Sequence, residues 1–141
     1  MIEYLKKIEK LISEKSVDNN KAKDLFINFI KNQLKNQHNI DNFIGDFPTF
    51  IEPVHLKSNV QIGDDVLIGP NVYIGKDCKI GDYAEIINTI IFDNVEIGDN
   101  FKLENCIVAK GSKLMFNNFS AFSCILKGQT DSEENLNKIS F

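Results

Sequence analysis

Counting in sixes from Leu56 meets Leu56, Ile62, Ile68, Ile74, Ile80 and Ile86, and four of these are followed directly by glycine, at Gly63, Gly69, Gly75 and Gly81. An aliphatic residue at every sixth position fits neither the period of a helix nor the simple alternation of a strand. It is the period of a parallel β-helix, in which six residues make one short flat side and about three sides complete a coil stacked on its neighbour. Four residues after each aliphatic comes a second inward position, filled by Val60, Val66, Val72, Cys78 and Ala84, which are small or β-branched as a narrow prism interior requires. The intervening position holds Asn59, Asp65, Asn71, Asp77, Asn94, Asn100 and Gly111. These residue types tolerate the left-handed backbone that a sharp turn between flat sides needs.

The frame already includes Ile44 and Phe50 as inward residues, and Pro48 and Pro53 exclude a helix there. It slips by one residue after Ile86, resuming at Ile91, Ile97 and Leu103, and slips again at Asn105, Cys106, Ile107 and Val108. Segments of this kind recur at Asn88, Asn105 and Ser123, so one coil spans about 17 or 18 residues and residues 44–128 hold about four to five coils. Ahead of them, Tyr4, Leu5, Ile8, Leu11 and Ile12 lie at helical spacing, Ser16 to Asn20 offer turn and N-cap residues, and Ala22, Leu25, Phe26, Phe29, Ile30 and Leu34 form a second stripe. Residues 1–40 are therefore expected to be an α-helical hairpin whose stripes pack on each other or on the first coil, capping it, or else dock a partner. Phe116, Phe119 and Phe122 are expected to pack at the far end of the prism in preference to forming a ligand platform, with residues 129–141 a polar tail over the surface.

Composition narrows the function classes. The net charge of −4 carries no basic footprint for nucleic acid or an anionic membrane surface, and no apolar stretch has the length of a membrane span. A cytoplasmic protein with neither partner is the expectation. Cys78, Cys106 and Cys124 are odd in number and lack zinc or disulfide spacing, so they read as buried small hydrophobes, with Cys106 and Cys124 in one column on adjacent coils. His38 is expected at the end of the second helix, where a cation suits the helix dipole. His55 lies between inward Val54 and Leu56, so its ring should point outward, toward a groove between subunits. Two histidines so placed offer no metal site.

The run Phe50-Ile51-Glu52-Pro53, the repeat from Val60 to Gly75 and the segment Ala84 to Ile91 resemble the left-handed β-helix acyltransferase superfamily. The resemblance is narrowest to the C-terminal β-helix domain of sugar-1-phosphate nucleotidylyltransferases, including the bifunctional glucosamine-1-phosphate acetyltransferases, and covers about Ile44 to Gly128. It implies a mainly β protein: a left-handed parallel β-helix of about four to five coils, preceded by the helical hairpin. It also implies acyl transfer from acyl-CoA, as a co-substrate with no covalently bound cofactor, to an amino sugar or sugar nucleotide, in the cleft between subunits of a homotrimer.

The family's general-base histidine falls, in the stretch Gly111 to Phe119, on Phe116, which has no proton-accepting group. Asn117 and Asn118 beside it are the candidate substrate-binding residues, and His55 is the candidate catalytic base in place of the missing one. No Gly-rich phosphate loop is present, so a nucleotidylyltransferase half is not expected among these residues. Two functions are compatible with these residues: an acyltransferase using His55, or a non-catalytic β-helix that serves as scaffold or regulatory subunit of a sugar-nucleotide enzyme and meets that partner through the hairpin.

Overall fold

The computed structural model describes residues 1–35 and 38–141, without the side chain of His38. Two helices, α1 (Ile2–Ile12) and α2 (Asn19–Asn28), are followed by a π-helical turn at Phe29–Gln33. The Asp18 carboxylate accepts from the Lys21 N–H at 3.1 Å and so caps α2. Strand β1 (His38–Ile40) comes next, and the coils follow. The first coil comprises β2 (Phe43–Ile44), β3 (Thr49–Phe50) and β4 (Val54–Leu56), and the second β5 (Val60–Ile62), β6 (Leu67–Ile68) and β7 (Val72–Ile74). The third comprises β8 (Lys79–Ile80), β9 (Glu85–Ile87) and β10 (Thr89–Ile91). In the fourth, β11 (Glu96–Ile97) precedes β12 (Phe101–Val108), and in the fifth β13 (Lys113–Leu114) precedes β14 (Phe119–Lys127). Strands β15 (Gln129–Thr130) and β16 (Asn137–Ser140), with a 3-10 turn at Glu133–Asn135 between them, complete the chain.

This is a mainly β parallel solenoid of about five turns with two helices before the strands. Strands β12 and β14 each turn a corner, at Asn105 and Ser123 with φ of 57° and 52°, and thereby run along two sides of the prism. Partners are 17 or 18 residues apart through the regular coils, as in Val54 to Val72 and Val72 to Thr89. The one-residue slip after Ile86 is this shortening: the corner that takes Gly69, Pro70 and Asn71 between Ile68 and Val72 has one residue fewer between Ile86 and Thr89.

The inward residues expected from the repeat are buried from Val54 to Leu126, and they form one continuous core. All seven corner residues named from the sequence have positive φ, from 55° at Asp65 to 75° at Gly111. Asparagines in this column hydrogen-bond up the prism: Asn59 Nδ2 donates to Asp77 Oδ1 at 2.7 Å, Asn71 Nδ2 to Asn88 Oδ1 at 2.8 Å and Asn100 Nδ2 to Asn118 Oδ1 at 2.8 Å. Tyr83 occupies the same left-handed position, with φ of 60°, although its ring is 56% exposed and supplies no such link. Left-handed backbone costs an ordinary side chain about 1 kcal/mol or more. Tyr83→Asn is therefore expected to stabilise the chain by about 1 kcal/mol in urea unfolding, and a loss of stability would refute this account.

Several placements differ from the sequence expectation. Ile44 is 62% exposed, not inward, because Phe43 pairs with Val60 and Ile44 with outward Gln61. The frame loses a residue there, as it does after Ile86. His38 opens β1 and does not end a helix, which also brings the first solenoid strand ahead of residue 44. The tail does not simply run over the surface: β16 pairs antiparallel with β14, from Cys124–Ser140 to Lys127–Asn137, and Leu136 packs on the core. Phe116 and Phe119 do pack at that end, but Phe122 is 62% exposed.

The hairpin covers a flat side of the prism, not its first coil. On the side made by β4, β7, β10, β12 and β14, the outward column reads His55, Tyr73, Ile90, Ile107 and Ile125. The last four of these join Leu5, Ile8, Ile12, Ala22, Phe26, Phe29 and Leu34 in a second core. An outward column that is apolar over four coils needs a cover, and the helical stripes have the matching character. Lys127 Nζ donates to the Ile12 carbonyl at 2.8 Å, so a cation from the last coil closes the C-terminal end of α1.

Candidate functional site

His55 points out of the prism, as alternation requires, but it does not reach open solvent: it is 8% exposed. Its ring stacks on Tyr73, one coil on, with centroids 5.4 Å apart and planes 23° apart. On the other side Asn39, its partner in β1, places Nδ2 3.4 Å from His55 Nδ1. Asn39, Asp41, His55 and Lys57 line a cleft of about 390 Å³. Tyr73 also meets Phe29 edge-on at 6.1 Å, so the histidine lies at the margin of the core between hairpin and solenoid.

Burial and then the charge of Lys57 lower the pKa of His55 from 6.5, against a smaller opposing effect of Asp41. The imidazole is thus neutral near pH 7 and able to accept a proton. The folded state binds fewer protons here than the unfolded chain does. Its contribution to stability is full above the unfolded pKa of about 6.5 and is lost as pH falls through the folded value. NMR titration of the His55 ring should give a midpoint below 6.5, and His55→Gln should flatten the pH dependence of unfolding below about pH 7. A midpoint above 6.5 would contradict the geometry. Tyr73, pushed up to about 12 by burial and by Asp93, stays a neutral phenol.

The residues expected at the other end serve the coil itself. Asn117 Oδ1 accepts from the Asp99 N–H at 2.9 Å, continuing a ladder in which Asp99 accepts from Asp82 and Asp82 from Asp64, each at 2.8 Å. Asn118 continues the left-handed corner column with φ of 60°. Phe116 stands where earlier coils have Gly63, Gly81 and Gly98, and its ring packs on Phe101 and Phe119 at 5.3 and 5.4 Å. His55 belongs to the first coil and these residues to the fifth, roughly 19 Å apart along the axis at the spacing of adjacent strands. The structure does not bring them together within one chain.

Sequence reasoning missed Tyr73, Asn39, Asp41 and Lys57 as neighbours of His55. The 18-residue step from His55 to Tyr73 was available as a signal. Asn39 was hidden because β1, 16 residues before β4, lies outside the regular repeat. Burial pushes the Cys78 thiol up to about 11, and in the buried Cys106–Cys124 pair, 3.8 Å apart, the hydrogen bond between the two raises Cys106 and lowers Cys124.

Among the described residues no helix is long and apolar enough to cross a membrane. No curated protein and no solved structure matches the chain significantly. A family model does: residues 50–133 match the GMPPB C-terminal domain, over more than half of the chain, and the parallel solenoid fits a left-handed β-helix relative. With its repeat, its corners and its coil length accounted for, the chain belongs to the GMPPB C-terminal domain family, the β-helix domain of sugar nucleotidyltransferases.

Proposed function

We propose that this chain is a non-catalytic β-helix that docks on a sugar-nucleotide enzyme and organises or regulates it. The observation that carries this reading is the asymmetry of the two ends. The last coil is covered by β16, Leu136 and the Phe116–Phe119 pair. At the first coil, among the described residues, β1, β2 and β3 pair on one side only, as β15 and β16 do at the far end, but Ile44, Phe47 and Ile51 are 62%, 96% and 44% exposed. Phe43, Phe47, Pro48 and Phe50 line a groove of about 590 Å³ there. Unpaired strand edges beside a large exposed apolar patch mark an interaction surface.

Charge selects the occupant. Residues 39–56 contain Asp41, Asp46 and Glu52 and no Lys or Arg. A second copy would meet like charges, whereas an enzyme surface with an apolar centre and a Lys/Arg rim is complementary. Family membership supports a nucleotidyltransferase as that enzyme. Light scattering on the chain co-expressed with such an enzyme from its own genome should give a defined complex. The double substitution Ile44→Asp with Phe47→Asp should weaken it about thirtyfold or more at unchanged circular dichroism. A chain that stays alone beside that enzyme, or forms a plain trimer binding CoA at micromolar affinity, overturns the reading.

Acyl transfer is the second reading, favoured by the neutral His55 in its polar cleft. There His55 would deprotonate an amine for attack on the acyl-CoA thioester, and a trimer would have to pack through the two prism sides that the hairpin leaves uncovered. Those sides carry ion-pair ladders, Lys79–Glu96–Lys113 and Glu85–Lys102. Turnover of acetyl-CoA with glucosamine 1-phosphate, UDP-amino sugars or simple amines, abolished in His55→Ala and His55→Gln, would establish it. No turnover across that panel removes it.

A further inference from the structure

Cys106 and Cys124 are 18 residues apart, which is one coil, and the register of β12 on β14 sets them directly opposite each other. Both side chains are buried inside the prism, and their sulfurs lie 3.8 Å apart. Adjacent strands hold facing Cα atoms about 4.8 Å apart, inside the span of about 4.4–6.8 Å that a disulfide bridges. Cys106 Sγ also lies 3.3 Å from the Glu104 carbonyl and 3.4 Å from that of Ala121, so acceptors on both strands hold it between the coils. Cys78 is the contrast. It is equally buried, but its sulfur meets the backbone carbonyls of Phe92 and Lys76, at 3.1 and 3.7 Å, and not a second thiol.

Two thiols so placed need only an oxidant, and access for that oxidant limits the reaction. Beyond β14 the next strand is β16, whose Ser140 faces Cys124. β16 is four residues long, and among the described residues its outer edge is unpaired. It is therefore the element that opens first in a structure whose stability is close to a sum over neighbouring coils. We propose that Cys106 and Cys124 are a redox modification site: when β16 lifts, a small peroxide reaches Cys124, and the pair closes into a disulfide that ties the fourth coil to the fifth. The hydrogen bond from Cys106 lowers the Cys124 thiol, and lifting β16 relieves the burial that opposes this, so Cys124 supplies the attacking thiolate. Cys124 gives its proton to solvent, and the thiolate attacks one oxygen of hydrogen peroxide, breaking the O–O bond to leave a sulfenic acid and hydroxide. The Cys106 sulfur then attacks the Cys124 sulfur. The S–S bond forms as the S–O bond breaks, and the hydroxyl leaves with the Cys106 proton as water. The proton and hydroxide of the first step also combine, so two thiols and one peroxide become one disulfide and two waters.

The test is mass spectrometry of the full, folded chain after exposure to hydrogen peroxide, with alkylation of the remaining thiols once the chain is unfolded. A peptide linked through Cys106 and Cys124 is expected, from a chain lighter by two hydrogens in which Cys78 alone is alkylated. The linked chain should melt about 5 °C or more above the reduced one, and dithiothreitol should reverse both changes. Cys106→Ala should stop the reaction at a sulfenic acid on Cys124, trapped by dimedone, which two thiols that merely pack together would not give. Ile139→Ala, which loosens β16 from Ile125, should speed the linkage about threefold or more. Val60→Ala, in the core of the second coil, should leave its rate unchanged. Equal acceleration by the two would mean reaction through global unfolding and would overturn the proposal. Three alkylated thiols, a link that includes Cys78, or a linked chain that melts no higher would each overturn it as well. None of these outcomes bears on the docking of the first coil.

Discussion

Phe101→Ala is expected to destabilise the protein by about 3–5 kcal/mol, the range for emptying a buried aromatic site. Phe101 is fully buried in the fourth coil and meets both Phe116 and Phe119 of the fifth, at 5.3 and 5.4 Å. Two features prevent the cavity from closing. Adjacent coils are held at fixed spacing by backbone hydrogen bonds, here through the long pairing of β12 with β14. The rings above cannot descend without breaking that ladder. Thermal unfolding should fall by roughly 10–20 °C. Hydrogen exchange should show the fifth coil and β16 opening first, because a solenoid's stability is close to a sum over neighbouring coils. A loss below about 1 kcal/mol would mean that the end of the prism is already loosely packed.

Gly98→Ala should be comparably harmful, and Gly111→Ala mild, although only Gly111 has a positive φ, of 75°. A methyl group at residue 98 would run into the Phe116 carbonyl and the Asn117 side chain of the next coil, whereas one at residue 111 meets nothing. The coil stacked on Gly98 must therefore shift, at a cost of about 3 kcal/mol or more, while Gly111→Ala pays only left-handed backbone strain of about 1–2 kcal/mol. Urea unfolding of the two variants decides the matter, and the reverse order would show that backbone conformation, not the close approach of coils, sets the glycine positions. The same geometry accounts for Phe116. It fills the glycine position in the last coil, beyond the last residue that β15 pairs with, and its ring turns to pack on Phe101 and Phe119.

The legible part of the fold was its repeating part. Inward positions from Val54 to Leu126, corner residues from Asn59 to Gly111 and the coil length all follow from side-chain alternation and from which residues tolerate left-handed backbone. Where the repeat stops, legibility stops with it. Ile44 went to the wrong face because a single lost residue inverts inward and outward. The tail's return as β16 was invisible, since Asn137–Ser140 pairs through main-chain groups that every sequence possesses.

Of the candidate site, the outward direction of His55 was legible, and its shelter was not. An alternation pattern states which way a side chain points but not what covers that side. The amino-acid sequence by itself determined the solenoid, its period and its corners, because each of these depends on residues six apart or fewer. Only the tertiary structure decided which side the hairpin covers, that His55 stacks on Tyr73 behind Lys57, and that Ile44, Phe47 and Ile51 are left exposed at the first coil. Those outcomes depend on surfaces assembled from several coils, and apolar attraction between such surfaces has no direction that can be read along the chain.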